Sequence, residues 1–67
     1  MSGFSSRFEV EDRSKSGDWM EGNGQECIDF IVLCRGIPRK DAVSMVTLAR
    51  FYDQLDLPHL ELVITRV

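Results

Sequence analysis

Apolar and polar residues change rhythm along this chain, and the rhythm sets the expected elements. From Phe4 to Asp12 the later part alternates: Phe8 and Val10 point one way, Arg7, Glu9 and Glu11 the other. A period of two is that of a half-buried strand. Residues 13–25 hold three glycines among small polar side chains and read as a loop or ragged hairpin tip, in which Trp19 and Met20 extend the strand briefly. Residues 26–35 are the most apolar stretch. Cys27, Phe30, Ile31 and Cys34 fit a helical spacing there, but the segment is short, rich in β-branched and aromatic residues, and bounded by Gly24 and Gly36. Those features favour a second strand over 26–35. Pro38 then opens a helix running to about Gln54, with Ala42, Met45, Leu48, Ala49 and Tyr52 along one side. Asp56 and Pro58 stop it. The last segment, 59–67, alternates Leu60, Leu62 and Ile64 with Glu61, Val63 and Thr65, and reads as a final strand.

The order strand, strand, helix, strand predicts a single α+β domain over 1–67: a three-stranded, mostly antiparallel sheet with one helix packed on one face. The covered face would hold Phe8, Val10, Ile28, Phe30, Val32, Leu60, Leu62 and Ile64. Full burial of each is worth roughly 1.5–3 kcal/mol, most of it cancelled by chain entropy.

The opposite sheet face has no expected cover. It would show Ile31 and Leu33 from the second strand and Val63 and Val67 from the last, among Glu9, Glu11, Asp29, Glu61 and Arg35. An apolar patch rimmed by charge is the composition of a protein contact surface. The alternative is that residues 13–25 fold over it with Trp19 as a lid. Trp19 and Met20, flanked by Asp18 and Glu21, form a second candidate, since an exposed tryptophan can anchor in a partner's pocket. The candidate partner-binding set is therefore Glu9, Glu11, Trp19, Met20, Asp29, Ile31, Leu33, Glu61 and Val63.

Composition narrows the function. An apolar fraction of 43% suits a globular chain. No apolar run reaches about 20 residues, and the first residues lack the basic start and apolar stretch of a signal peptide, so the cytoplasm is the expected compartment. Cys27 and Cys34 would stand roughly 23 Å apart in a strand or about 10 Å apart in a helix, beyond disulfide reach, and read as two small core thiols. The net charge of −3 is uneven: residues 1–29 carry seven acids and three bases, residues 30–67 four acids and five bases. An acidic half-chain argues against direct nucleic-acid binding and allows attraction to a basic protein surface, including one that normally holds nucleic acid. His59 is the only histidine, and two cysteines and one histidine at this spacing match no zinc site. Gly22-Asn23-Gly24 is too short for a phosphate cradle. Nothing argues for an enzyme, a cofactor or a metal.

The layout through Phe8–Val10, Ile28–Cys34, Ala42–Tyr52 and Leu60–Ile64, in a short acidic chain, resembles several small phage-encoded anti-CRISPR proteins. The resemblance rests on layout and carries no motif, so no functional residue transfers. It implies a non-enzymatic inhibitor that docks on a Cas protein and competes with guide or target nucleic acid. Two other readings stand beside it: a small self-associating homodimer, and a nucleic-acid binder using Arg35, Arg39, Lys40 and Arg50.

Overall fold

The computed structural model describes residues 6–14 and 17–67. The chain runs β1 (Arg7–Asp12), β2 (Trp19–Asn23), α1 (Gly24–Arg35), α2 (Arg39–Tyr52), β3 (Gln54–Leu57) and β4 (Leu62–Arg66). The four strands form one antiparallel sheet in the order β2-β1-β4-β3. Both helices lie on one face, α1 over β2 and β1, α2 over β4 and β3. The α+β class holds, with a four-stranded sheet and two helices in place of the expected three strands and one helix.

The largest correction is residues 26–35, which are helical. The cause is a reciprocal cap. The Asn23 side chain accepts from the Glu26 N–H at 2.9 Å, and the Glu26 carboxylate accepts from the Asn23 N–H at 2.8 Å. That box satisfies two helix-end donors and starts the helix. At the other end Gly36 takes a left-handed conformation, φ 66°, and its N–H reaches the Val32 carbonyl at 3.0 Å. A glycine there terminates a helix at little steric cost. Between the caps, Cys27 and Ile31 turn to the core at helical spacing.

The expected loop 13–25 contains a whole strand, β2, paired with β1 from Glu11↔Trp19 to Arg7↔Asn23. Gly22 lies opposite Phe8, and a Cβ there would meet Glu26 Oε1 at 2.5 Å. Its bare backbone lets the first turn of α1 fold back beside the strand that precedes it. The expected starts of the first strand at Phe4 and Ser5, and Lys15 and Ser16 of the expected loop, lie outside the described residues. Toward the C-terminus the helix stops at Tyr52. Asp53, at φ 67°, caps it in the left-handed region, and Gln54–Leu57 becomes β3, an unforeseen edge strand. The expected strand 59–67 is shortened to Leu62–Arg66 behind a turn over 58–61.

One buried cluster holds the sheet to the helices: Phe8 and Val10 of β1, Cys27 and Ile31 of α1, Ala42, Val46 and Ala49 of α2, Leu62 and Ile64 of β4. Phe8, Val10, Leu62 and Ile64 face the helices as expected. The stripe expected on α2 is rotated. Val46 is buried at its centre, whereas Leu48 and Tyr52 are 43% and 72% exposed. Small alanines at 42 and 49 let α2 settle closely on the sheet, and this turns the larger side chains to its flank.

Candidate functional site

The sheet face away from the helices is open, and strand register fixes what stands on it. Side chains two apart share a face. One row across the four strands is Trp19, Glu11, Val63 and Asp56; the next is Glu21, Glu9, Thr65 and Gln54. Four carboxylates therefore occupy this face. Arg7 stands on it too and reaches Glu21 at 3.4 Å. Arg13, just past β1, reaches Glu11 at 3.4 Å. Val63 is buried between Glu11 and Asp56 in the register, and Trp19 is 57% exposed at the edge.

The geometry sets two like charges against each other. Asp12 donates its N–H to the Asp18 carbonyl at 2.8 Å. Alternation along the ladder then makes Glu9 and Glu21 a directly opposed pair without mutual backbone bonds, the kind whose side chains approach most closely. Like charges in that arrangement destabilise a sheet. The chain thus carries a small electrostatic cost between β1 and the edge strand β2, which Arg7 beside Glu21 partly offsets.

The sequence-derived candidates divide. Glu9, Glu11, Trp19 and Val63 come together on the open face. Met20 lies on the opposite side of β2, packed against the core. Ile31 is fully buried. Leu33 projects from α1 and is 82% exposed. Asp29 is also on α1, where its carboxylate accepts from Arg39 at 2.8 Å. That bond, with a second from Gln25, holds its pKa below the ordinary value. Glu61 sits in the turn before β4 at φ 57°. Arg35, expected on the open face, donates to buried Asp12 at 3.1 Å. Sequence reasoning missed Glu21 and Asp56. The alternation of Trp19, Glu21 and Asn23 against Met20 and Gly22 is the signal that would have found the first.

A second feature is an open cleft of about 450 Å³ beside the N-terminus of α1, floored by Phe8, Ile28 and Val46 and rimmed by Arg7, Thr47 and Arg50. The helix end beside it is already capped by the Asn23 side chain, which accepts from the Glu26 N–H.

The two thiols differ. Cys27 is buried, its sulfur 3.5 Å from Met20 Sδ and 3.7 Å from the Phe8 and Gly22 carbonyls. Burial pushes its pKa up to about 11. Cys34 is exposed, which corrects the expectation of two core thiols. Among the described residues no three His, Cys, Asp or Glu side chains gather into a metal-binding group, and no helix is long and apolar enough to cross a membrane. No protein family, curated protein or solved structure matches the chain.

Proposed function

We propose that this chain is a non-enzymatic binding protein that lays its open sheet face on a basic protein surface, of the kind that otherwise holds nucleic acid. The observation that carries the reading is the opposed pair Glu9 and Glu21, with Glu11 in the next row of β1 and Asp56 across the sheet on β3, on a face that no part of the described chain covers. A cationic partner would relieve that repulsion, so part of the electrostatic gain is stored in the free protein. Trp19 at the rim supplies a large apolar surface beside the charges, as anchoring residues do. An acidic face on such a partner would exclude nucleic acid by occupying its site, so the role is inhibitory or regulatory. The reading rests on the charges of the open face, not on the anti-CRISPR resemblance, whose second strand, Ile28–Cys34, is α1.

The test is capture from nuclease-treated lysate of the source cell with wild-type and Glu9→Gln/Glu11→Gln baits. Basic nucleic-acid-binding proteins should be retained by the wild type, released by added salt or nucleic acid, and lost with the double variant. Glu9→Gln alone removes the like charge while sparing the Arg7–Glu21 pair, and should raise stability by about 0.2–1 kcal/mol in urea melts. Capture that ignores the double substitution, or retention of nucleic acid itself, refutes the reading.

A further inference from the structure

Among the described residues the sheet has a second unpartnered feature, independent of its acidic face: the outer edge of β3. Arg66 donates its N–H to the Asp53 carbonyl at 2.8 Å. Alternation from that bond directs the backbone of Leu55 and Leu57 toward β4 and the N–H and C=O groups of Gln54 and Asp56 out of the sheet. An exposed edge of this kind is a template for another strand.

The flank of α2 above the edge is apolar. Val46, Thr47 and Arg50 line the cleft shared with Ile28 of α1, so that side of α2 looks toward α1. The helical repeat of 3.6 residues then turns Leu48 and Tyr52 to the other side, above β3, with Phe51 on the adjoining outward surface. Leu48, Phe51 and Tyr52 are 43%, 76% and 72% exposed.

We propose that the occupant of this edge is a second copy of the chain, joined antiparallel along β3 about a two-fold axis at Leu55. Register decides the geometry. Centring on Leu55 sets Gln54 against Asp56 of the other copy in both pairs, so every outward backbone group finds a partner. An amide then faces a carboxylate on the open side. A shift centring on Asp56 would oppose two carboxylates and place Pro58, which has no N–H, against Gln54. The other edge is less suited: full pairing of β2 with itself opposes Glu21 to Glu21, and the Asn23 N–H is already bound to Glu26.

Joining at β3 brings the two α2 flanks together over the Leu55 pair. An aromatic side chain buries about 150–250 Å². The exposed parts of four such rings therefore set an upper bound of roughly 450–750 Å² toward the approximately 1,200 Å² at the low end of stable interfaces. Leu48 and the strand edges add to this. The product is one eight-stranded sheet with its helices on one side and a single continuous acidic face on the other.

Sedimentation velocity from micromolar to near-millimolar protein, with amide hydrogen exchange by NMR, tests the assembly. Wild-type protein should sediment at twice the mass of one chain, with the Gln54 and Asp56 amides protected. Leu48→Lys, an exposed helical position, should give a folded monomer in which those two amides exchange freely. Asp56→Pro removes the outward N–H at that position and should give a folded monomer whose Gln54 amide exchanges freely; if it does not fold, the double variant Leu48→Lys/Phe51→Lys takes its place. Glu9→Lys, on the open face, should leave the dimer intact. A monomeric wild type, a dimer that survives the Lys variants, one lost in Glu9→Lys, or one whose Gln54 and Asp56 amides are unprotected would each overturn the proposal.

Discussion

The two cysteines show how much a single side chain depends on its setting. Cys27 is sealed beneath β1 and β2, and its thiolate would have to form without water. Cys34, seven positions on, stands exposed on the same helix. A thiol reagent at neutral pH should therefore modify Cys34 alone in the native protein and both residues after denaturation, as mass spectrometry will read directly. The same burial makes stability depend on pH. The folded-state pKa of about 11 lies above the ordinary 9.0. The unfolded chain thus loses its proton first as pH rises. Cys27 costs nothing below pH 9 and reduces stability by up to about 1.4 kcal/mol per unit between the two values. Cys27→Ala should flatten that decline in alkaline urea melts. In the sequence the two cysteines look alike, and seven residues apart they share one face of a helix; what separates them is position along α1, with Cys27 near its start beneath β1 and β2 and Cys34 in its last turn.

Single elements here are decided by their ends more than by their interiors. Residues 26–35 carry enough β-branched and aromatic side chains to favour a strand. The helical outcome follows from Asn23 before them, Glu26 at their start and Gly36 after. Asn23→Ala should cost about 1 kcal/mol, by removing the accepting half of the box, and thermal melts followed by circular dichroism will measure it. The cap was legible as an Asn three positions ahead of a Glu before an apolar run. Gly24, taken without neighbouring structure, reads instead as a strand boundary. β2 was hidden for a related reason. Gly22 and Asn23 look like loop residues, yet the glycine is there to admit α1 and the asparagine to cap it. β1 and the presence of α2 were readable because their periodicity is not interrupted, although the buried stripe of α2 runs through Val46 and not Leu48 and Tyr52. β3 was not, since four residues offer too few alternations, and the left-handed turn at Asp53 that creates it gives no pattern of its own. The acidic half of the open face was half visible: Glu9 and Glu11 follow from the alternation of β1, while Glu21 and Asp56 join them only once strand pairing is known.

For the molecule as a whole, one buried ion pair connects parts that periodicity cannot relate. Asp12 ends β1 almost without solvent exposure. Its carboxylate accepts from Arg35 at the C-terminal turn of α1 and from the Ser14 N–H at 2.9 Å in the following connection. Asp12→Ala would strip both contacts and leave Arg35 half-enclosed without its counter-charge. Removing one partner of a buried pair typically costs about 3–5 kcal/mol, a large share of the stability of a domain this small. Urea denaturation should show that loss, whereas Arg7→Ala, which breaks only an exposed pair, should change stability by less than about 1 kcal/mol. The open acidic face tolerates changes of the second kind and the helix-covered side does not, so binding and folding can be separated by mutation.

The pairing at the centre of the sheet has a kinetic consequence. β1 and β4 lie side by side, with Phe8 opposite Arg66, so the middle seam joins the earliest described strand to the latest. A two-stranded hairpin is marginal in water, and closing the long intervening loop yields little until both helices can dock. A chain leaving the ribosome therefore carries β1 with one side unmated until β4 has emerged. Commitment to the native state waits until β4 is available, in a step governed by distant contacts.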